Sequence, residues 1–415
     1  MYGLIDCDSF FASCEQVFRP DLRHSPVIVL SGNDGCVIAL TREAKALGIK
    51  RGIPYFKIKK EIECHHIAVF SSNFTLYGDL SSRVVRMIMN RADEVEVYSI
   101  DEAFINLIGE KDPISFCSRL RREIWQGVNI PVSIGIAPTR TLAKIATDFA
   151  KHYKGYEGVC LIDTDEKREK ALRLIAIDEV WGIGRQLSKK MALYGIKTAW
   201  DFTQKKASWT RKNFKIQGLR TWNELQGISC LDAYSPAEKQ SICTSRTFSH
   251  PIADVELLAE RVAVFVAACA KKLRFQNGVS DTLTVFIYTS RHQQDQPQHQ
   301  EAFPVHLETA TNDTLELTHM ALQVLRHIYR KGYLYKKAGV IVSNITSSNT
   351  VQQNLFDKIN RPQRLKLNQA IDRINEKLGQ NTIRLARQGN GEWGSKSELS
   401  SPHYTTQLDE IMRIK

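Results

Sequence analysis

Three features that would point to a membrane, secreted or zinc protein are missing from this chain of 415 residues. No apolar run approaches the roughly 20 residues of a transmembrane helix, and no signal-like segment precedes the first strand-like residues. None of the nine cysteines has a C-x-x-C spacing, and such scattered cysteines are typical of a reducing compartment. We therefore expect a cytoplasmic protein with free thiols and no membrane partner.

The charge of the chain is distributed unevenly. The formal net charge is +12, from 57 Lys and Arg and 45 Asp and Glu. Residues 1–165 carry 20 basic and 21 acidic side chains, residues 166–345 carry 26 and 17, and residues 346–415 carry 11 and 7. A basic excess in one region favours binding of a polyanion there. We expect the first 165 residues to perform chemistry and the later, basic region to hold a polyanion.

Two adjacent carboxylates follow an alternating segment. Val95–Ile100 alternates apolar and polar residues, and after Asp101 and Glu102 a second apolar run extends from Ala103 to Ile108. This pattern predicts a β-hairpin with both carboxylates at its turn. Because neighbouring carboxylates repel each other, the pair is either a solvated acidic turn or part of a cation site.

A third carboxylate, Asp6, lies near the end of the first predicted strand. The Asp-x-Asp pattern here also occurs in acid phosphohydrolases and glycosyltransferases, but the polar, glycine-rich stretch Ser31–Gly35 does not fit the regular strand–helix alternation of a phosphohydrolase. If the first strand lies beside the hairpin, Asp6, Asp101 and Glu102 converge. Such an oxygen-only set suits two magnesium ions, the arrangement used for phosphoryl or nucleotidyl transfer.

The other elements of residues 1–165 predict an α+β domain of split β-α-β type, with a small unit inserted after the first strand. In that unit a short helix over Thr41–Leu47 carries Thr41, Arg42 and Lys45. These side chains either form a solvated face or bind a triphosphate, which needs cations and hydroxyl donors near a helix start. A later helix over Thr141–Lys151 is clearly amphipathic.

Ordered motifs in this region resemble those of Y-family (translesion) DNA polymerases. The motifs are Asp6–Glu15, Tyr98–Phe104 and Ser133–Ala137. The resemblance extends over nearly the whole chain and is greatest to the UmuC branch, the catalytic subunit of bacterial DNA polymerase V. It implies a template-dependent, error-prone DNA polymerase that acts during the SOS response, with primer–template DNA and an incoming dNTP as substrates.

The resemblance also implies an α+β, multidomain, right-hand polymerase. Residues 1–165 would form a split β-α-β palm, with small fingers inserted at about 20–75. Residues 166–235 would form a helical thumb with a helix-hairpin-helix. Residues 240–346, whose pattern predicts the order β-α-β-β-α-β, would form the little finger, and residues 347–415 a C-terminal tail.

Roles for individual residues of the catalytic domain come from the same resemblance. The three carboxylates and the backbone carbonyl of Cys7 would hold two Mg²⁺ ions. Phe11 would be the steric gate, an aromatic ring that clashes with a ribose 2′-OH and so excludes ribonucleotides. Phe10 lies beside it in the sequence. Lys45 stands where many relatives have arginine, and Arg42 where tyrosine is frequent. The residues that would contact the incoming triphosphate are Thr41, Lys45 and Lys151.

Gly182-Ile183-Gly184 precedes a basic helix predicted at Arg185–Leu193. The Gly-x-Gly pattern alone indicates either a simple helix–turn–helix or a phosphate-binding helix start. The resemblance implies the helix-hairpin-helix that grips the DNA backbone. Its contacts would be Gly182, Gly184, Arg185 and Lys189.

The tail contains two segments that resemble partner-binding sequences. Gln352, Leu355 and Phe356 lie in a peptide similar to those that bind the bacterial sliding clamp, although Gln353 stands where leucine is usual. A helix is predicted at 362–378. Residues 379–415 resemble UmuC tails, which contact a UmuD-like accessory subunit or a recombinase filament.

A second hypothesis is a non-catalytic regulator that binds the clamp or the filament and retains a vestigial palm. The intact acids at all three positions speak against it, because nothing in such a regulator requires a costly carboxylate cluster.

Overall fold

The computed structural model describes residues 1–231, 238–293, 295–352, 354–357, 359–379, 381–389 and 396–411. Gln353 of the predicted clamp peptide and residues 232–235 of the predicted thumb lie outside the described residues. The chain forms two compact units, one of residues 1–235 with 397–415 and the other of residues 236–396. Among the described helices, none is both long and apolar enough to cross a membrane.

The first unit contains ten α-helices and eight strands in the described residues. The strands are β1 (Tyr2–Cys7), β2 (Val27–Leu30), β3 (Val37–Leu40), β4 (Ala68–Ser71), β5 (Val95–Val97), β6 (Glu102–Asn106), β7 (Val132–Ala137) and β8 (Val159–Leu161). The helices are α1 (Phe10–Val17), α2 (Arg42–Ala46), α3 (Lys59–His65), α4 (Phe74–Met89), α5 (Pro113–Val128), α6 (Arg140–His152), α7 (Asp165–Leu174), α8 (Arg185–Ala192), α9 (Ala199–Thr203) and α10 (Ala207–Leu225).

A five-stranded sheet with the order β5-β6-β1-β7-β8 is the centre of this unit. β1 pairs antiparallel with both β6 and β7, so the predicted placement of the first strand beside the hairpin is confirmed. Side chains alternate along β1: Ile5 packs into one core and Leu4 into the other. Asp6 therefore shares the face of Leu4, on which α6 packs.

The hairpin turn is tighter than its sequence pattern predicts. The strand expected to continue to Ile100 ends at Val97. The backbone N–H groups of Tyr98 and Ser99 both donate to the carbonyl of Glu102, at 3.0 and 3.1 Å. Because these bonds close the turn early, residues 98–101 form a loop and Glu102 is the first residue of β6.

A smaller sheet, with the order β3-β2-β4, belongs to the predicted fingers unit. β2 is fully buried, since it pairs antiparallel with β3 and parallel with β4. α4 begins at Phe74, because the Asn73 side chain accepts a hydrogen bond from the Leu76 N–H and caps the helix.

The second unit contains a four-stranded antiparallel sheet and three helices in the described residues. The elements are β9 (Ser241–Ile252), α11 (Val255–Phe275), β10 (Gly278–Thr289), β11 (Gln300–Thr311), α12 (Thr314–Ile328), β12 (Tyr335–Ser347) and α13 (Arg361–Leu378). The first six elements follow the predicted β-α-β-β-α-β order, and the sheet order is β11-β10-β12-β9. α11 and α12 pack on the sheet and share one apolar core with it.

Candidate active site

Two of the predicted carboxylates are direct neighbours across the central sheet. Asp6 pairs in register with Glu102 between β1 and β6. Glu102 and Phe104 are on the same face of β6, and Phe104 belongs to the core that contains Leu4 and α6. The strand alternation that buries these apolar side chains thus turns both carboxylates towards α6.

The third carboxylate, Asp101, is held at the adjoining turn. Its backbone carbonyl accepts a hydrogen bond of 2.9 Å from the Cys7 N–H, one residue beyond Asp6. The Ser99 hydroxyl donates to Asp101 Oδ1 at 2.5 Å and accepts from the Glu102 N–H at 3.1 Å. The turn and the end of β1 are therefore fixed to each other by backbone bonds.

Two lysines of α6 pair with these carboxylates. Lys151 Nζ lies 2.6 Å from Asp6 Oδ1, and Lys144 Nζ lies 3.0 Å from Glu102 Oε1. The Lys144 ammonium also lies 4.9 Å from the ring centroid of Tyr98. The pairing of Lys144 with Glu102 was not predicted, although the spacing of seven residues between the two lysines places them on one helix face.

Burial strongly perturbs Asp6. Desolvation raises the pKa of its carboxyl to about 7, the ammonium of Lys151 opposes this, and the charges of Glu102 and Asp101 raise it further. The pKa of Asp8 is also raised by burial, against the charge of Lys151 and a hydrogen bond from Ser133. The end of β1 therefore concentrates negative charge in a poorly solvated place.

The chemistry of the donor set fits a divalent metal better than its arrangement does. Within the ranges that the structure describes, no three His, Cys, Asp or Glu side chains are gathered into a group that could hold a metal ion. Asp6 and Glu102 contact lysines instead. The donors themselves are partly buried carboxylate oxygens, and burial together with their mutual repulsion raises the pKa of Asp6. Their chemistry therefore fits a hard cation such as Mg²⁺. Binding it would require the lysines to give way.

The two phenylalanines of α1 have different environments. Phe10 is 3% exposed and belongs to the core, whereas Phe11 is half-buried. The ring of Phe11 stacks on Tyr77 with centroids 4.5 Å apart and an interplanar angle of 17°. Phe74 meets the Phe11 ring edge-on at 5.8 Å. Tyr77, the support of the predicted gate, was not singled out in the sequence, where it looks like any core residue of α4.

The predicted triphosphate contacts lie in unlike positions. Thr41 is 3% exposed, and its hydroxyl oxygen accepts hydrogen bonds from the N–H groups of Ala44 and Val27, so it caps α2. Lys45 is exposed. Arg42 Nη2 lies 3.7 Å from Asp8 Oδ2 and donates to the carbonyl of Lys151 at 3.4 Å. Arg42 therefore lies beside Lys151. The Thr41 hydroxyl is used in hydrogen bonds that stabilise the start of α2.

The predicted DNA-binding glycines precede α8. Gly182 has a φ of +89°, which favours glycine, and a Cβ there would lie 3.0 Å from the Thr221 hydroxyl. Gly184 is the N-cap residue of α8. Arg185 and Lys189 are exposed and one helical turn apart, so both can face a ligand outside the helix.

The predicted clamp peptide lies in the second unit. The side chains of Leu355 and Phe356 are 98% and 85% exposed. Gln352 is exposed as well. Two adjacent apolar side chains with this exposure form a small patch that a partner's apolar groove can cover.

Comparison with protein families divides the chain into three matched regions. Residues 5–148 match the impB/mucB/samB family, and residues 239–355 match the impB/mucB/samB family C-terminal domain. Residues 365–414 match a domain of unknown function.

Full-length relatives are similar along the whole chain. Protein UmuC of Salmonella typhimurium is 39% identical, with 100% of both chains covered, and Protein ImpB of the same organism is 39% identical, with 99% of both covered. DNA polymerase IV of Oceanobacillus iheyensis is 25% identical over 98% of this chain and 95% of its own length.

The fold is also that of solved Y-family structures. A Y-family DNA polymerase chimera of Dbh and Dpo4 has a TM-score of 0.67 at 23% identity, covering 83% of this chain and 99% of its own. An insertion ternary complex of Dbh DNA polymerase has a TM-score of 0.52 at 24% identity, with the same coverage. The prediction from the motifs is confirmed: this chain belongs to the impB/mucB/samB family of Y-family polymerases, in the branch of UmuC.

Proposed function

We propose that the protein is a template-dependent DNA polymerase of the error-prone translesion type, which extends a primer 3′-OH opposite damaged template bases. One observation carries this proposal. Asp6 and Glu102 are paired across β1 and β6, with Asp101 held at the adjoining turn. A partly buried carboxylate set of this kind costs folding free energy, which a divalent cation used in catalysis would offset.

The reaction is the transfer of a nucleotidyl group to the primer. Asp6, Asp101, Glu102 and the Cys7 carbonyl would hold two Mg²⁺ ions. When bound, two such ions supply activation of the attacking hydroxyl and charge neutralisation at the leaving pyrophosphate. The chain's own part is to fix these donors on adjacent strands, so that little reorganisation is needed.

Cationic side chains beside the carboxylates would receive the triphosphate of the incoming dNTP. Lys151 is partly exposed and Arg42 is exposed, and the two are joined by a hydrogen bond from the Arg42 guanidinium to the Lys151 carbonyl. Lys45 and the start of α2, which Thr41 caps, would add further contacts. Charge-assisted bonds from several cations suit a polyphosphate.

Selection of deoxyribose would depend on Phe11. Its ring is held against Tyr77 and is half-buried, so one side of it is available to a substrate. A rigid aromatic ring against the sugar would clash with a 2′-OH. Phe10, buried in the core, would act only through α1.

The remaining regions would bind DNA and partner proteins. Primer–template DNA would be bound through the DNA backbone by two regions. These are residues 166–235, which contain α8 with its N-cap Gly184, and the β-α-β-β-α-β domain at 240–346. The peptide at Gln352, Leu355 and Phe356 would bind a sliding clamp. The following residues would contact a UmuD-like accessory subunit and a recombinase filament, in the cytoplasm during the SOS response.

A primer-extension assay tests the proposal. Purified protein is supplied with Mg²⁺, all four dNTPs, and templates with or without an abasic site, with and without partner proteins. Asp6→Asn and Asp101→Asn should each lower extension by about two to three orders of magnitude, the range for loss of one preorganised electrostatic group. Binding of primer–template DNA should remain.

The matched control is Asp93→Asn, an exposed carboxylate shortly before the hairpin, which should extend primers like the unsubstituted protein. Extension by Asp6→Asn at the unsubstituted rate would refute the assignment of the carboxylates. Clamp binding without any extension, by the unsubstituted protein with all partners, would favour the non-catalytic regulator.

A further inference from the structure

The C-terminal residues 397–404, here called the clasp, pack on the first unit although they follow the whole second unit in the chain. The clasp pairs with the edge strand β4: the Ser71 N–H donates to the Leu399 carbonyl at 3.0 Å, and the Leu399 N–H donates to the Ser71 hydroxyl at 3.1 Å. The Glu398 N–H donates to Asp34 Oδ2 at 3.2 Å. The clasp is therefore hydrogen-bonded to the fingers sheet as a short added strand.

One asparagine joins the clasp to the start of α4. Asn73 Nδ2 donates to the Ser401 carbonyl at 3.2 Å, to the Ser401 hydroxyl at 3.1 Å and to the Pro402 carbonyl at 3.3 Å. Its Oδ1 accepts from the Leu76 N–H and caps the helix. Asn73 and Ser401 are each 5% exposed, so both the nitrogen and the oxygen of the Asn73 amide make their hydrogen bonds inside the protein.

The clasp also reaches α1. The Ser401 hydroxyl faces the carboxyl of Glu15, which is 1% exposed, and offsets part of the rise in its pKa that burial causes. The same carboxyl accepts a hydrogen bond of 2.6 Å from the Tyr77 hydroxyl. Further along, the ring of Tyr404 stacks on Phe18, at the C-cap of α1, with centroids 4.6 Å apart.

These contacts lie one helical turn from the predicted gate. Glu15 is four residues after Phe11 on α1, and Tyr77 is four residues after Asn73 on α4. Residues four apart lie on the same face of a helix. The clasp thus contacts both helices on the faces that carry the two stacked rings of Phe11 and Tyr77.

We propose that the clasp is a positioning element of the nucleotide site, which fixes α1 against the start of α4 and so holds the Phe11 ring in place against Tyr77. This gives a role to part of the region that matches a domain of unknown function. The proposal rests on the proposed role of Phe11 in selecting the sugar. Ser401 and Asn73 are positioning residues, because they act through Glu15 and Tyr77.

The contacts are suited to positioning because they are directional. An apolar tail could slide on the fingers surface, whereas Asn73 must meet three oxygens of the clasp at hydrogen-bond distance. Because the groups are buried, a shift of the clasp leaves polar atoms without partners.

Two variants of the full-length protein test the proposal from the two sides of the contact. Ser401→Ala removes the hydroxyl that accepts a hydrogen bond from Asn73 and faces the carboxyl of Glu15. Asn73→Asp keeps an oxygen to cap α4, but replaces the donating amide with a carboxylate that faces the two clasp carbonyls. The control is Thr406→Ala, an exposed residue two positions after the clasp.

Single-nucleotide insertion is measured with dNTP and with the matching rNTP. Each variant should lower the ratio of kcat/KM for dNTP to that for rNTP by about two- to tenfold, the effect expected from loss of one or two buried hydrogen bonds. The change should lie mainly in KM, with kcat for dNTP close to that of the control. Amide hydrogen exchange of residues 68–77 should be faster in both variants.

The outcomes separate the two proposals. If Phe11→Ala relaxes sugar discrimination but neither clasp variant changes discrimination or exchange relative to Thr406→Ala, the clasp does not position the gate. If Phe11→Ala leaves discrimination unchanged, the role of Phe11 is refuted, and faster exchange in the clasp variants then shows a clasp that orders α4 without acting on a gate. A fall in kcat for both nucleotides with an unchanged ratio would indicate general destabilisation and would also overturn the proposal.

Discussion

The ammonium of Lys151 lies 2.6 Å from Oδ1 of Asp6 and 3.9 Å from Oδ1 of Asp8. The three side chains are largely buried, with exposures of 25%, 16% and 14%. Lys151 is thus held at the edge of the carboxylate site before any substrate arrives. When a metal displaces it from Asp6, this cation has only a short distance to move to meet a triphosphate beside the site.

Lys151→Met should therefore raise the KM for dNTP by about tenfold, the effect of one lost charge-assisted bond, with a smaller change in kcat. Lys151→Arg keeps the charge and should lose less. The control is Lys154→Met, an exposed lysine just beyond α6. Steady-state kinetics of single-nucleotide insertion measure the KM for dNTP of each variant. An unchanged KM in Lys151→Met would show that Lys151 does not contact the triphosphate.

Phe11→Ala should increase insertion of ribonucleotides relative to deoxyribonucleotides, because the ring that would meet the 2′-OH is gone. The expected change in the ratio of kcat/KM values is at least about tenfold, or roughly 1.4 kcal/mol of lost discrimination. Phe10→Leu is the matched control, since its side chain is buried in the core. That variant should lower stability and leave discrimination as it is. Equal effects from the two variants would argue against a gate at Phe11.

Much of this site follows from sequence patterns and topology. The alternation in β1 and β6 predicts which side chains share a face, and a split β-α-β arrangement brings Asp6 beside the hairpin. Both lysines could be placed on one face of α6 from their spacing. The carboxylates that pair with these lysines could not be predicted. The pairing depends on the rotation of α6 about its axis relative to the sheet, and the apolar stripe of the helix fixes that rotation only approximately.

The clasp could not be predicted at all. Residues 397–404 are polar and aperiodic, and Asn73 and Ser401 are 328 residues apart in the chain. A contact made of single hydrogen bonds leaves no periodic trace in a sequence. The internal use of the Thr41 hydroxyl was missed for a related reason, since a helix cap and a phosphate contact call for the same residue type at the same position.

Glu15 should make the free energy of unfolding depend on pH. Burial raises the pKa of its carboxyl from 4.5 to about 7. Between these values the folded state keeps a proton that the unfolded state loses, so stability falls as pH rises from about 4.5 to about 7 and then levels off.

Glu15→Gln removes this titration and keeps an acceptor for the Tyr77 hydroxyl. Relative to the unsubstituted protein, it should be of equal stability near pH 4 and more stable by up to about 3 kcal/mol above pH 7. Urea unfolding across this pH range, in the presence of a chelator, measures the difference. A difference that does not vary with pH would show that Glu15 is ionised normally.

The exposed cations of α8 should bind the DNA backbone without reading its sequence. In a plot of log K against log salt concentration, Lys189→Ala should reduce the slope by about 1, and the pair Arg185→Ala and Lys189→Ala by about 2. Affinity should fall equally for unrelated sequences. Lys111→Ala, an exposed lysine of the loop after β6, is the control, and the same reduction in that variant would mean that α8 has no special part in binding.

The side chains of Leu355 and Phe356 are almost fully exposed. Their burial in an apolar groove of a partner would remove apolar surface from water and so favour binding. The double variant Leu355→Ala and Phe356→Ala should therefore lose stimulation of primer extension by a bacterial sliding clamp, while its extension without the clamp is unchanged. Truncation of two anchors should weaken clamp binding by about a hundredfold or more. Phe275→Ala, a side chain 91% exposed in the same unit, is the matched control and should be stimulated normally. Stimulation of the double variant at the level of the control would show that the clamp, if it binds, uses another surface.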